Sequence, residues 1–220
     1  EEKAAMDAGT ERCGLLHRQL DSGIRKLYYS RERHAFLHAI DDEGRVDPLV
    51  TKFPNMFAIL YDYADDDSTR QDLLRHVLLN PSVPAVTTPY MHFYELETLC
   101  RMGMQPKVLS EMKAYWGGML REGATTFWEK YNPGEHGTQH LAMYGRPYGK
   151  SLCHSWGAAP LYIIGRYFLG VYPTQAGYEE YEVRPATAGL QWMEGDVPTP
   201  FGKIHVEAGD GTVAVVSDGG

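Results

Sequence analysis

The chain has 220 residues, 43 % of them hydrophobic and 12 % aromatic, enough for a substantial core and near the upper end of single-domain size, with room for a smaller appendage. Its net charge of -8, with Lys and Arg scattered singly, offers no basic stripe to a phosphate backbone, so nucleic acid is not an expected partner. The longest apolar run, GAAPLYIIG, is too short to cross a bilayer, and EEKAAMDAGT does not read as a secretory leader; a soluble chain with no membrane partner is expected, cytoplasmic or periplasmic.

Leu16, Leu20, Ile24 and Leu27 recur at helical spacing, which predicts a helix from residue 1 to about Tyr29. A second helical pattern covers Asn55 to about Tyr63. A third starts after Ser68, a candidate N-cap, with Leu73, Leu74, Val77 and Leu78 on one face. The Pro-rich break NPSVPAVTTP leads into YMHFYELETLCRMG, whose final glycine suits a C-cap. Pro106 opens the next helix, which carries a wide apolar stripe of Val108, Leu109, Met112, Tyr115, Trp116, Met119 and Leu120 and stops at Gly123. A last helix is signalled by Ser151 and ends at Gly170; its Gly157, Ala158 and Ala159 allow a neighbour to approach closely.

Beyond Gly170 the period changes to two. Tyr181 and Val183, Leu190 and Trp192, Ile204 and Val206, and Val213 and Val215 alternate between the turns PTPFG and AGDG, which predicts short antiparallel strands. The expected organisation is therefore helical hairpins over residues 1–168 and a β segment over 169–220. Three or four strands leave open edges and an uncovered face, so further strands or a partner surface are expected outside this chain, and both of its ends are expected to be cut.

Most candidate chemistry dissolves on inspection. Cys13, Cys100 and Cys153 form no CxxC pair and read as buried thiols. His34 and His38, four apart, could share a helix face, and His136 and His140 stand in the Gly-rich GEHGTQH; neither pair has a third ligand nearby in sequence, so no metal is expected. YADDDST reads as a solvated loop without the glycine and terminal glutamate of a calcium loop. No serine-hydrolase or nucleotide motif is present and no cofactor is expected.

Glu129 is the exception. In GATTFWEKYNP it follows a helix-ending glycine and lies among Phe127, Trp128 and Tyr131. Apolar rings raise a carboxyl pKa toward the working range and form platforms for sugars, which points to acid-base work on a carbohydrate. The plainer alternative pairs Glu129 with a cation such as Lys130.

The runs YWGGMLREGATTFWEKYNP and YGKSLCHSWGAAPLYIIGRYFLGVYPTQAGYEEYEVRPATAGLQWMEGDVPTPFGKIHVE, with TTPYMHFYELETLCRMG upstream, resemble the C-terminal part of the catalytic region of bacterial α-L-rhamnosidases, the family-78 glycoside hydrolases. The resemblance covers most of residues 87–207. It implies a mainly α fold, part of an (α/α)6 toroid of the six-hairpin glycosidase type, followed by a short antiparallel segment of a C-terminal β-sandwich. It implies inverting hydrolysis of terminal α-L-rhamnosides, with Glu129 as general base, His154 lining the sugar subsite and Trp128 as the aromatic before the base; Trp156 is assigned to packing. The family's acid lies on a loop of the type DxPxRxE. Residues 1–86 offer only SRERHAF, so the acid is expected upstream of this chain and the isolated chain is expected to be inactive.

Two alternatives remain. Another toroid enzyme, such as a different glycosidase or a polysaccharide lyase, would need for the lyase a Tyr or His base and a cationic clamp; Arg146 and Lys150 in GRPYGK could serve, though they read as surface charges. A non-catalytic carbohydrate-binding relative would keep the aromatic pocket without turnover.

Overall fold

The structure is a computed structural model that describes residues 2–218, the first helix being given by its backbone alone through residue 8. The chain gathers into two compact units, Glu1–Ala85 and Val86–Gly220.

The first unit opens with helix α1 (Glu2–Tyr28), where the apolar spacing placed it. A two-residue hairpin follows, β1 (Tyr29–Ser30) against β2 (Ala35–Phe36). HAFLH is therefore not helical, and His34 and His38 do not share a helix face. The local preference for helix yields to the packing of Ala35 and Phe36, which are 0 % and 3 % exposed. Helix α2 (Lys52–Leu60) begins three residues before the expected Asn55. Asn55 is fully buried on it and completes the edge of β2: its Oδ1 accepts from Phe36 N at 2.7 Å and its Nδ2 donates to Phe36 O at 3.2 Å.

Helix α3 (Asp67–Leu73) is capped by Asp66 rather than Ser68, which lies in the first turn; the Asp66 carboxylate accepts from Thr69 N at 2.8 Å and Thr69 Oγ1 at 2.6 Å. A carboxylate is as good a cap as a hydroxyl and also meets the positive helix end. The helix continues as a wider π-helical turn over Leu74–Leu78, and Leu73, Leu74, Val77 and Leu78 are buried as expected. Val77 packs with Ala35 and Val83.

In the second unit, α4 (Pro89–Arg101) packs against both α5 (Gln105–Arg121) and α6 (Ala159–Ile163). Gly103 (φ 75°) and Gly123 (φ 90°) end α4 and α5 in the left-handed region, as the sequence signals required. The buried stripe of α5 is narrower than expected: Val108, Met112, Trp116 and Met119 are buried, whereas Leu120 is 69 % exposed. The expected last helix starts late. Ser151–His154 is irregular, with a bend at Leu152 and Cys153, a 3-10 turn spans Ser155–Gly157, and α6 continues as a π-helical turn through Phe168. On α4 the buried Glu97 accepts from Tyr167 Oη at 3.0 Å and Arg101 Nη2 at 3.3 Å, so the helix pairing includes a polar tie.

The strands follow. β3 (Val171–Pro173) pairs with β4 (Tyr181–Val183), and β5 (Trp192–Thr199), β6 (Gly202–Gly209) and β7 (Thr212–Ser217) form an antiparallel sheet in that order. Between β6 and β7, Asp210 (φ 49°) and Gly211 (φ 77°) make the two-residue turn with positive φ at both positions that matches strand twist. Among the described residues no helix is long and apolar enough to cross a membrane.

Candidate active site

The site is made by two irregular passes of chain that fasten each other. The first leaves α5 at Gly123 and runs to Tyr131; the second is 150–157. Glu129 N donates to Ser151 O at 2.9 Å, His154 N donates to Phe127 O at 2.8 Å, and Thr126 Oγ1 donates to Leu152 O. The second pass is fixed to α5 by Trp116 Nε1, which donates to Gly157 O at 2.7 Å. Gly157 is required here, since a Cβ would lie 2.9 Å from Trp128 O. Tyr131 N donates to Tyr115 Oη at 3.0 Å, and burial pushes the Tyr115 phenol up to about 12.

At the centre of these passes the Glu129 carboxylate is 5 % exposed. Its Oε1 accepts from Tyr144 Oη at 2.5 Å and its Oε2 from Ser151 N at 3.0 Å; His154 Nδ1 lies 4.0 Å from Oε2. The Tyr144 hydroxyl, then the Ser151 amide, hold this carboxyl below its ordinary value of 4.5, against the opposing effect of burial. The rings of Phe127, Trp128 and Tyr131 led to the opposite expectation; two donors to the ionised form outweigh the apolar neighbours. Lys130 is not the partner in a hydrogen bond or ion pair of Glu129.

Tyr144 reaches Glu129 from a tight turn, Met143–Arg146, whose end residues exchange hydrogen bonds at 3.0 and 2.9 Å. Tyr144 itself sits in the left-handed region (φ 54°), as does Gly145 (φ 71°). A large non-glycine residue in that region costs free energy and persists where surrounding structure imposes it. The result is a phenol whose oxygen meets a buried carboxylate while the residue is 71 % exposed. Hydrogen bonding to Glu129 in turn raises the Tyr144 pKa.

Trp128, next to Glu129 in the chain, is 5 % exposed, with its ring centroid 5.5 Å from that of His140. His154 is partly exposed and tilts against Trp156, centroids 4.2 Å apart; Trp156 in turn meets Tyr90 at 5.4 Å and is 41 % exposed. The two charges of GRPYGK separate. Arg146 is exposed, but Lys150 is 7 % exposed and its Nζ donates to Glu135 Oε2 at 3.1 Å, which corrects the surface reading. Burial raises the Glu135 carboxyl, and Lys150, with Asn132 and His140, more than reverses that, leaving it below its ordinary value. His140, 2 % exposed, lies 3.6 Å from Glu135 and 3.5 Å from Glu122, while His136 is exposed; they do not converge as a ligand pair. Of the cysteines only Cys100 is buried, its thiol pushed up to about 12 by that burial; Cys13 and Cys153 are exposed on a helix face and a loop.

Tyr144 and Ser151 are the functional candidates that sequence reasoning missed. The one available signal was the aromatic placed immediately before Gly145 in a turn, a position where tyrosine is unfavourable without a reason. A cavity of about 600 Å³ opens along 138–148, lined by Gln139, Met143, Arg146 and Tyr148 among others; Glu129 does not line it.

Two rhamnosidases are among the solved structures to which the chain is similar. A GH78-family rhamnosidase of Bacillus sp. GL1 superposes with a TM-score of 0.74 at 27 % identity, over 89 % of this chain and 20 % of that one. A rhamnosidase from Klebsiella oxytoca, solved with rhamnose bound, superposes with a TM-score of 0.56 at 25 % identity, over 68 % of this chain and 27 % of that one. The chain thus spans about a fifth to a quarter of their lengths. No family model matches the sequence, and no curated protein matches it. A rhamnosidase-like relative, of glycoside-hydrolase kind, is what these likenesses support.

Proposed function

We propose that this chain is the later part of an (α/α)6 catalytic body followed by the start of a β-sandwich, and that it serves inverting hydrolysis of terminal α-L-rhamnosides with Glu129 as general base. The observation that carries the reading is the Glu129 carboxylate: buried, ionised and oriented by two donors, in a chain similar to rhamnosidases. An inverting reaction needs a base that removes a proton from water on the ring face opposite the leaving group, and an acid that protonates the departing oxygen. Each Glu129 oxygen accepts one hydrogen bond from the protein and keeps a lone pair for water. Tyr144 and Ser151 reduce its basicity but fix its direction and keep it ionised through the working range, which suits a base whose efficiency depends on placement.

His154, beside that carboxylate and partly exposed, is the residue we assign to contact the sugar. Trp128 is assigned as the buried aromatic that precedes the base, and Trp156 with Tyr90 forms an exposed aromatic surface next to His154. The acid is assigned to polypeptide outside these 220 residues, with its carboxyl roughly 6.5 to 9.5 Å from Glu129 to leave room for water.

A lyase finds less support: its tyrosine base would need a lowered pKa, whereas Glu129 raises that of Tyr144. The test uses a polypeptide carrying these residues at the length of the rhamnosidases they resemble, with an aryl α-L-rhamnoside as substrate. Glu129→Gln is expected to lower kcat by about 10² or more with substrate binding retained. Unchanged turnover would return Glu129 to a structural role; no turnover by the unsubstituted protein would favour another sugar or the binding-only relative.

A further inference from the structure

The first unit holds a cluster that the proposed hydrolysis does not use. His34 stands at the end of the four-residue loop between β1 and β2, in the left-handed region at φ 50°. Its Nδ1 is 2.9 Å from Asp72 Oδ2, the two side chains being 45 % and 33 % exposed. Asp72 lies on α3, and His76 follows four residues later on the continuing π-helical turn. The His76 ring stacks on that of His34 with centroids 4.4 Å apart and planes 20° apart. Three side chains, one from the β1–β2 loop and two from α3 and its π-helical continuation 38 and 42 residues further on, therefore present two imidazoles and a carboxylate close together. Their ligand atoms all lie within 4.8 Å of one another, and this is the one set of three or more His, Cys, Asp and Glu residues among those described that does so.

We propose that His34, Asp72 and His76 form a binding site for a divalent transition-metal ion of the zinc class. The donor set, two borderline nitrogens and one hard oxygen, matches that class rather than calcium or magnesium, which take oxygen alone. Ligands at about 2.1 Å from one ion stand roughly 3.0 to 3.4 Å apart, so the 2.9 Å His34–Asp72 pair is already near ligand spacing. Binding an ion there displaces the hydrogen that this pair shares. The third ligand needs one movement: the lone pairs of stacked rings run side by side, so the exposed His76 ring must turn to aim a nitrogen at the shared point.

His34 and Asp72 also line a cleft of about 580 Å³ with Arg25, Tyr29, Tyr63 and Asp65. A fourth coordination position is thereby left to water or an oxygen donor from the cleft, as in three-ligand zinc sites. Like charge does not forbid the ion, since Asp65 and Asp66 on the cleft wall counter Arg25 and Arg31.

The experiment is calorimetric titration of the 220-residue chain with ZnCl2. The starting protein carries Cys13→Ser and His17→Gln, which removes the Cys–His pair spaced i, i+4 on α1 as a competing binder. One saturable site is expected. Asp72→Asn and His76→Ala should each weaken it roughly tenfold or more. Zinc should also raise the thermal midpoint of the starting protein and not of these two variants. No saturable binding, or affinity unchanged in both variants, overturns the proposal. All three side chains are at least a third exposed or surface-facing, so neither substitution is expected to unfold the chain.

Discussion

Tyr144 is the residue on which the proposed chemistry turns most finely. Its hydroxyl is the largest influence holding the Glu129 carboxyl below 4.5, so Tyr144→Phe should raise that pKa and move the acid limb of kcat/KM to higher pH. A merely structural tyrosine would lower the rate without moving the limb, which makes the pH profile the decisive measurement. The same pair predicts a stability effect of definite sign. A carboxyl whose folded value lies below its unfolded one contributes stability above the unfolded value, and loses it as pH falls through the folded value. The Glu129 contribution is therefore complete above about pH 4.5 and disappears in more acid solution, and Tyr144→Phe should flatten that part of a urea-midpoint profile.

Glu129 itself was legible because a carboxylate among rings after a helix-stopping glycine is a local pattern. Its donors were not, because they arrive from 15 and 22 residues further along an irregular loop that no periodicity describes. A longer separation, 38 and 42 residues, hid Asp72 and His76 from His34. What sequence could show there was two histidines four apart; what decided the outcome was that Ala35 and Phe36 are pulled into a strand.

Among the elements, α5 offers a paired test of packing against propensity. Adjacent glycines occupy its last turns. A Cβ on Gly118 would overlap the buried Tyr131 ring, whereas one on Gly117 would meet only the tip of Arg121 at 3.5 Å. Alanine gains about 1 kcal/mol over glycine within a helix, while overpacking costs typically 1–3 kcal/mol. Gly117→Ala should then raise the urea midpoint, and Gly118→Ala should lower it, since Tyr131 is held through its amide by Tyr115 and cannot retreat freely. Equal shifts in both variants would mean that the ring gives way. The elements themselves were read well where period and stop signals agreed, as in α4, α5 and β6. They were read less well where capping has more than one candidate, as at Asp66 and Ser68, or where a side chain takes over a backbone role, as Asn55 does for β2.

At the scale of the whole molecule, the partition at residues 85 and 86 falls in the Pro-rich run NPSVPAVTTP, where backbone amides are missing and helix is disfavoured. The change of period near residue 168 lies inside the second unit, because the turn after α6 feeds directly into β3 and that strand packs on it. Sequence grammar marks a change of secondary structure there, and packing carries across it.

The partition also divides the chain spectroscopically. All four tryptophans, at 116, 128, 156 and 192, belong to the second unit, while α1 to α3 contribute strongly to far-ultraviolet circular dichroism. Indole emission therefore monitors residues 86–220 alone, and ellipticity monitors both units. If the two melt as one cooperative body, the curves superpose in urea; if they melt separately, emission and ellipticity part company. Native fluorescence thus follows the body that carries Glu129 without a label, whatever the helices before Ala85 are doing.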